Sequence, residues 1–267
     1  AVCLAVECME NEPLYNAGKG SVLDAEGNIS MDASIMRGHD QAAGSVVGLQ
    51  SSRHPVRAAK RLMENGWPVM LAGPAGDVFA AENGVEQVEK AWLETQLRRA
   101  QWDKWRRERL RPGATDEADA LLDHDAEHDG WGTVGAVALD ANGNLAAATS
   151  TGGMTGKPPG RVGDTPIIGA GTWADKHIAV SCTGVGEAFI RTAAAHAVAS
   201  FHQDRSLEAA AEAMLDLVEP LGGRGGVIAV NRKGEVVMPF RTMLMYRGWY
   251  RDGTVDVGIG PSFLQSS

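Results

Sequence analysis

The sequence has few cysteines, few aromatic residues and no long apolar run. Its 267 residues include three cysteines, Cys3, Cys8 and Cys182. This odd number without paired spacing predicts neither a disulfide framework nor a structural zinc site, and a reducing cytoplasm is the expected compartment. Because Cys182 ends the apolar run 178–182, we interpret it as a buried structural thiol and not as a nucleophile. Apolar runs are too short for a membrane span, and no signal-like opening is visible.

The sequence also has no excess of positive charge, and its formal net charge is −9. A strongly acidic chain is a poor partner for nucleic acid or for an anionic membrane, so neither is expected. One local exception is a set of arginines between 98 and 111, interleaved with Trp102 and Trp105 and followed by the acidic stretch 116–129. We interpret this region as a solvated helix that leads into a mobile charged linker.

Neither a GxGxxG nor a Walker pattern is found, so no nucleotide cofactor is expected. Apolar spacing predicts helices at 55–64, 187–202 and 207–218 and a charged surface helix within 86–110. Hairpin signals with turns at 26–28, 142–143 and 233–234 join short β-like runs, without a βαβ rhythm. This pattern predicts an α+β fold with antiparallel sheets and helices on their outer faces.

The Asn142-Gly143 turn places two hydroxyls together. In a hairpin centred on this turn, facing residues have positions that sum to about 284 or 285, so Thr133 lies beside Thr151 or Gly152. Paired threonines across strands are common strand formers, so the pair alone is modest evidence.

The position of Thr133 at the end of the predicted linker adds to this evidence. The Gly132–Thr133 bond joins a segment without apolar periodicity to a strand, which suits self-cleavage by attack of the threonine hydroxyl on the preceding carbonyl. Cleavage would make Thr133 an N-terminus, whose amine has a typical pKa of about 7.7–8 and can act as base for its own hydroxyl. A threonine thereby becomes a nucleophile without a histidine.

Several long motifs occur in the order found in a known family. They are 15–22 (YNAGKGSV), 31–34 (MDAS), 132–140 (GTVGAVALD), 149–154 (TSTGGM), 159–164 (PGRVGD) and 181–187 (SCTGVGE). With these motifs the chain resembles the plant-type L-asparaginases, also called isoaspartyl peptidases, which are N-terminal-nucleophile hydrolases. The resemblance runs from about residue 1 to 250 and is weakest over 85–130.

The resemblance implies a four-layer αββα sandwich with two mainly antiparallel sheets between helical layers. It implies an α subunit, residues 1–132, that ends in a mobile linker at about 98–132, and a β subunit, 133–267, that begins with the nucleophile. Two such heterodimers would pair. The implied activity is cleavage of isoaspartyl dipeptides and of L-asparagine through an acyl-enzyme, with a small-molecule or dipeptide substrate and no cofactor for catalysis.

The resemblance also implies a role for each site residue. Arg161 would bind the substrate's α-carboxylate and Asp164 its α-ammonium, while Gly186 would offer a backbone contact. Thr183 and the Gly184 amide would form the oxyanion hole. Thr151 would orient the nucleophile Thr133, and Asn16 would lie close to it. Simpler interpretations are a surface salt bridge for Arg161, a turn cap for Asp164 and a left-handed turn for Asn16.

A structural sodium ion is a further implication. The loop between residues 9 and 19 resembles the family's sodium-binding loop, in which backbone carbonyls are the main ligands, and a hard cation suits such oxygens. The implied ligands are the carbonyl groups of Met9, Glu10, Glu12, Tyr15, Ala17 and Lys19.

The chain departs from the family pattern in three places. Arg241 stands where asparagine is usual, and Met243-Leu244 replaces smaller or polar residues, so substrate preference is affected more than chemistry. Val185 replaces a frequent threonine. The sequence also begins without the opening His-Gly-Gly-Ala strand and without an initiator methionine, and we expect it to be a piece of a longer chain.

Two rival hypotheses remain open. His124, Glu127 and His128 match the H-x-x-E-H pattern of inverted zinc proteases, although their acidic, glycine-bearing surroundings do not favour the apolar-backed helix that such a site needs. The other rival is a catalytically impaired relative that binds ligand without turnover.

Overall fold

The computed structural model describes residues 1–110, 132–261 and 263–264. Within this part of the chain there are eight α-helices: α1 Val2–Glu10, α2 Pro55–Asn65, α3 Pro74–Glu82, α4 Lys90–Leu93, α5 Gln96–Arg109, α6 Gly186–Thr192, α7 Ala194–Phe201 and α8 Leu207–Val218. A 3₁₀ turn, Glu219–Leu221, follows α8.

The strands described are β1 Met31–Arg37, β2 Ala43–Leu49, β3 Met70–Ala72, β4 Val134–Leu139, β5 Leu145–Thr151, β6 Thr172–Ala174, β7 Ile178–Gly184, β8 Gly225–Asn231, β9 Val236–Val237, β10 Arg247–Arg251, β11 Thr254–Gly258 and β12 Phe263–Leu264. They form a five-stranded sheet in the order β3-β2-β1-β5-β4, a four-stranded sheet β6-β7-β8-β9 and a three-stranded sheet β10-β11-β12. All pairs are antiparallel except β2 with β3.

The two larger sheets pack on each other, and helices cover both outer faces. Helices α1 and α2 pack on the five-stranded sheet, and α7 and α8 pack on the four-stranded sheet. Separate apolar cores lie under each helical layer. The protein is therefore α+β with antiparallel sheets and outer helices, as the sequence predicts.

The facing sides of the two sheets are joined by buried hydroxyl groups. The Thr149 hydroxyl on β5 lies 2.7 Å from that of Ser181 on β7 and 2.6 Å from that of Thr172 on β6. Ser34 on β1 donates to Thr172 at 2.8 Å. Hydrogen bonds are directional, so this chain fixes how β5 sits against β7. Two residues further along these strands stand Thr151 and Thr183, whose side chains point into the same inter-sheet space because strand side chains alternate.

Local capping explains where the helices begin and end. Helix α8 matches its predicted range, since the Ser206 hydroxyl accepts the Ala209 amide at its start. The predicted surface helix within 86–110 is divided into α4 and α5, because the Thr95 hydroxyl accepts the Arg98 amide and caps a new helix there. The predicted helix 187–202 is divided at Ala193, which has a φ of +48°.

The structure corrects two predictions about the arginine-rich region. The linker assigned to about 98–132 begins too early, because 98–109 lie in α5. This helix is also solvated on only one side, since Arg98, Trp102 and Trp105 are buried while most of its other residues are exposed or half-buried. A stripe of one hydrogen-bonded arginine and two tryptophans thus docks a helix whose other positions are mostly charged. Residues 111–131 of the linker, including the motif formed by His124, Glu127 and His128, lie outside the described residues.

The remaining sequence predictions concern exposure. Cys182 is buried, and burial raises the pKa of its thiol well above the ordinary value, as expected for a structural thiol. Across the described residues, no helix is both long and apolar enough to cross a membrane. In the same residues no cluster of three His, Cys, Asp or Glu side chains suited to a metal ion occurs.

Candidate active site

The predicted nucleophile lies at the open end of the β4–β5 hairpin. Val134 pairs with Ser150, a sum of 284, so the register agrees with the sequence arithmetic. Thr133, half-buried, donates from its hydroxyl to the Thr151 hydroxyl at 3.2 Å. Thr151 is buried and also accepts the Gly153 amide at 3.0 Å. The two hydroxyls are thus brought together at the edge of the inter-sheet space.

Thr183 approaches the same point from the other sheet. A Cβ placed on Gly132 would lie 3.5 Å from the Thr183 hydroxyl oxygen, so this group faces the Gly132–Thr133 bond. Gly184 follows Thr183 at the end of β7. A hydroxyl near Gly132 and the backbone amide of the next residue along β7 are the two kinds of donor from which an oxyanion hole is built.

Asn16 supports the turn that follows Thr151. Its side-chain amide donates to the Gly153 carbonyl at 2.6 Å and its carbonyl oxygen accepts the Val22 amide at 3.0 Å. Its backbone carbonyl accepts the Gly152 amide at 2.8 Å. Asn16 therefore ties the loop 15–22 to the Gly152-Gly153 turn, directly after Thr151.

Arg161 and Asp164 lie next to one another, against Gly186. A Cβ on Gly186 would come within 2.9 Å of the Asp164 amide nitrogen and 3.1 Å of Arg161 Nη2, so only glycine fits between them. Arg161 donates from Nε and Nη2 to both carboxylate oxygens of Glu187, each at 2.8 Å. Its Nη1 makes no hydrogen bond to any of the residues described, which leaves that corner of the guanidinium available to a second carboxylate.

Asp164 is buried, with 4% of its surface exposed, and its Oδ2 has no hydrogen-bond partner among the residues that the structure covers. Burial raises the pKa of its carboxyl to about 7, and the nearby Arg161 offsets only part of this effect. A buried, unpaired acceptor is costly unless a donor fills it. A ligand ammonium group would supply that donor.

A second buried pair stands behind these residues. Asp32, opposite Thr151 in the β1–β5 ladder, accepts the Gly48 amide at 2.8 Å, and Lys157 donates to the Ser30 carbonyl at 2.7 Å. Burial raises the pKa of Asp32 and lowers that of Lys157, while the attraction between their charges opposes both shifts. Both residues therefore contact backbone near the site.

Comparison with known proteins agrees with this geometry. The family model described as asparaginase matches residues 1–259. The chain belongs to the asparaginase family. It is 45% identical to the isoaspartyl peptidase of Escherichia coli (strain K12), with 96% of this chain and 79% of that protein covered. It is 44% identical to the isoaspartyl peptidase of Salmonella typhimurium, covering 96% and 82%. It is 41% identical to the isoaspartyl peptidase/L-asparaginase of Rattus norvegicus, covering 96% and 74%.

In this asparaginase-family chain, the unusual residue Arg241 is bound to helix α8. Its guanidinium is held by Glu212 and Asp216 of α8. Met243 and Leu244 are exposed, whereas Met245 is buried. The backbone of Arg241 still lies beside the end of β8, since its amide donates to the Gly225 carbonyl at 2.7 Å. Any effect of this departure on substrate preference would therefore act through the segment's backbone and the neighbouring Met245.

Sequence reasoning missed three residues near the site: Asp32, Lys157 and Glu187. Glu187 sits in the quoted motif 181–187, and an acid directly after the glycine that faces Arg161 is the signal that could have identified it. Partial burial raises the pKa of Glu187, but the hydrogen bonds from Arg161 outweigh this effect and the net pKa is lowered. Glu187 is thus charged at neutral pH and orients the guanidinium.

Proposed function

We propose that this chain is a threonine-nucleophile amidohydrolase that cleaves isoaspartyl dipeptides and hydrolyses L-asparagine to L-aspartate and ammonia. The observation that carries the proposal is the contact of the Thr133 hydroxyl with Thr151, beside the Thr183 hydroxyl and directly after Gly132. The names of the relatives, isoaspartyl peptidase and isoaspartyl peptidase/L-asparaginase, support the same activity.

Activation would be cleavage of the Gly132–Thr133 bond. Gly132 is exposed and Thr133 only half-buried, so the bond is accessible to water. The Thr133 hydroxyl attacks the Gly132 carbonyl, the acyl group moves from nitrogen to oxygen, and water releases the new carboxylate. The freed α-amine, with an ordinary pKa of about 7.7–8, then takes the proton from its own hydroxyl.

Arg161 and Asp164 would select the substrate. The available Nη1 corner of Arg161 binds the α-carboxylate, and the unpaired Oδ2 of Asp164 accepts from the α-ammonium group. Both groups exist only on a free amino-acid end, so internal peptide bonds are rejected. This arrangement leaves the substrate's side-chain carbonyl for Thr133.

Acyl transfer would follow in two steps. Thr133 Oγ1 adds to the side-chain carbonyl carbon, and its proton moves through the α-amine to the leaving ammonia or amino-acid amine. The oxyanion is held by the Thr183 hydroxyl and the Gly184 amide, at roughly 3–4 kcal/mol per donor in comparable sites. Water then attacks the ester, gives its proton to the same amine and releases aspartate with Thr133 restored.

We further propose that the layered arrangement is the αββα sandwich of N-terminal-nucleophile hydrolases and that two heterodimers pair. The packing of α1 and α2, the two larger sheets, and α7 and α8 in succession supports the four layers. The sparse use of cysteine is the reason for placing the protein in the cytoplasm.

The loop 9–19 would hold a sodium ion through backbone carbonyls. Two carbonyl oxygens of this loop lie close together beside Gly20, since a Cβ there would lie 2.7 Å from the oxygen of the implied ligand Tyr15 and closer still to that of Pro13. The carbonyls of Met9, Glu10 and Glu12 each accept one backbone N–H and keep a second lone pair. The ion would stabilise the loop that carries Asn16 and take no part in the chemistry.

The sodium assignment predicts a specific effect on stability. The thermal unfolding midpoint should be higher in sodium chloride than in tetramethylammonium chloride of equal ionic strength, by at least about 2 °C, because an ion that binds only the folded chain stabilises it. Equal midpoints in the two salts would contradict the assignment.

The function itself is tested on the purified protein. A denaturing gel should show two fragments, and amino-terminal sequencing should give one that starts Thr-Val-Gly-Ala. The same preparation should release aspartate from an isoaspartyl dipeptide and from L-asparagine, and its native mass should correspond to two copies of each fragment.

Hydrolysis by a preparation whose Gly132–Thr133 bond is intact would contradict the mechanism, whereas an intact bond without turnover would favour the ligand-binding relative. Activity that is lost in chelator and restored by zinc would favour the metalloprotease.

A further inference from the structure

Helix α5 presents one buried face to the loops around Thr151. Arg98, Trp102 and Trp105 follow the spacing i, i+4 and i+7, which places them in one stripe along the helix. Their exposed fractions are 2%, 7% and 5%, whereas Arg107 on the opposite side is exposed. None of these residues belongs to the substrate-binding or nucleophilic groups described above.

Arg98 binds the loop that carries Asn16. Its Nε donates to the Gly20 carbonyl at 2.6 Å and its Nη2 to the Leu14 carbonyl at 3.0 Å. Burial lowers the pKa of this arginine to about 10, so the side chain is still charged at neutral pH. The charge is therefore solvated by the carbonyls on both sides of Asn16, which fixes the ends of that loop.

Trp102 holds the next segment along the chain. Its indole Nε1 donates to the Asp24 carbonyl at 2.7 Å. The residues on either side of Asp24 bind the segment 152–157, which follows Thr151. The Leu23 carbonyl accepts the Gly156 amide at 2.8 Å, and the Ala25 amide donates to the Lys157 carbonyl at 2.9 Å.

Trp105 contacts that segment directly. A Cβ on Gly156 would overlap the Trp105 ring, lying 2.1 Å from its Cε2 atom, so the ring packs flush against the glycine backbone. Gly156 has a φ of +73°, which also favours glycine. The segment 152–157 begins one residue after Thr151, whose hydroxyl accepts from both Thr133 and Gly153.

We propose that Arg98, Trp102 and Trp105 form a clamp that positions Thr151, and through it the nucleophile, with Trp105 as its main positioning residue. The inference rests on the proposed role of Thr133. Since α5 lies before the cleavage site and Gly156 after it, the clamp joins the two fragments of the processed protein. Without the indole, the turn 152–157 gains freedom, and Thr151 holds Thr133 in its reactive orientation for a smaller part of the time.

The test is a series at Trp105 in the full chain, with kcat normalised to the processed fraction and measured well below the unfolding temperature. Trp105→Ala should lower kcat about 10- to 30-fold, with KM within threefold of the wild-type value, because the substrate-binding Arg161 and Asp164 are untouched. Trp105→Phe should restore kcat to within about threefold. Arg107→Ala, on the exposed side of the same helix, should match the wild type.

If the alanine variant does not accumulate in the cell, Trp105→Leu serves in its place. Its kcat should lie between the values expected for the alanine and the phenylalanine variants. A kcat within twofold of the wild-type value for the alanine or leucine variant would overturn the proposed clamp. A change in KM without a change in kcat would also overturn it, and so would a phenylalanine variant with a kcat as low as that of the alanine variant. These results would leave the proposed nucleophile standing as long as Thr133→Ala is inactive. Turnover by Thr133→Ala would instead refute the function.

Discussion

Thr133→Ala is expected to lose turnover of both L-asparagine and isoaspartyl dipeptides by roughly 10⁴-fold or more, the scale seen when a catalytic nucleophile is removed. The variant should also remain a single, uncleaved chain. One hydroxyl is responsible for both effects, since the group that attacks the Gly132 carbonyl is the group that later attacks substrate. Gel electrophoresis and an aspartate-release assay on the same sample measure the two effects together.

Thr133→Ser is the matched variant, because it keeps the hydroxyl beside Thr151 and removes only a methyl group. It should be cleaved and active, although more slowly. Thr254→Ala, at an exposed position on β11, should behave as the wild type. An alanine variant that is cleaved normally, or that turns over substrate at more than a small fraction of the wild-type rate, would refute the assignment of Thr133.

The second large effect is expected at Asp164. Asp164→Asn should raise KM for L-asparagine about 100-fold at pH 8, because a buried carboxylate that meets an ammonium group typically contributes several kcal/mol to binding. At pH 5.5 the wild type should already bind poorly, since its Asp164 has a folded-state pKa of about 7 and is then mostly protonated. The ratio of the two KM values should therefore shrink as pH falls.

The same carboxyl makes an opposite prediction for stability. Its pKa is raised from 3.8 in the unfolded chain to about 7 in the folded protein. Folding is therefore favoured by protonated Asp164 below pH 3.8, and this contribution is lost as pH rises through about 7. A difference of this size corresponds to roughly 4 kcal/mol as an upper value, so Asp164→Asn should be more stable than the parent at pH 8 by about 2–4 kcal/mol and equal to it near pH 4.

Denaturant unfolding measures this difference, and it should be done in the Thr133→Ala background so that a single chain unfolds. Asp204→Asn, at an exposed position after α7, should change neither stability nor KM. An asparagine variant at 164 that is less stable at pH 8, or that binds substrate as the parent does, would show that Asp164 is not a strained, substrate-directed carboxylate.

Local signals in the sequence predicted the core of the candidate site. The turn signal at Asn142-Gly143 predicted the register that brings Thr133 to Thr151, because a short loop, here the three residues 141–143, fixes every pair of a hairpin. Helix α8 was equally clear, with a serine cap and an apolar stripe. Short-range rules suffice where the interacting residues are near in the chain.

The sequence did not reveal contacts between distant segments. Arg161 meets Glu187 across 26 residues, and Arg98 meets the carbonyl of Gly20 across 78. Neither pair has a local spacing rule. The predicted hairpin at 21–31 forms only around its turn, where Leu23 and Ile29 bridge and the Asp24 amide donates to the Asn28 carbonyl. Its outer residues do not pair with one another, and Met31 instead begins β1 between two other strands. Tertiary pairing outweighed the turn signal there.

The position of β1 in the five-stranded sheet determines whether the two fragments would stay together after cleavage at Gly132. β1 is the central strand, hydrogen-bonded on one side to β2 and on the other to β5, which follows Gly132 in the chain. A cut there would leave the six residue pairings from Asp32–Thr151 to Arg37–Ala146 in place. Residues 1–132 could not dissociate as a cleaved propeptide does. Their removal would take β1 out of the middle of the sheet and leave β5, with Thr151 beside Thr133, unpaired on that side.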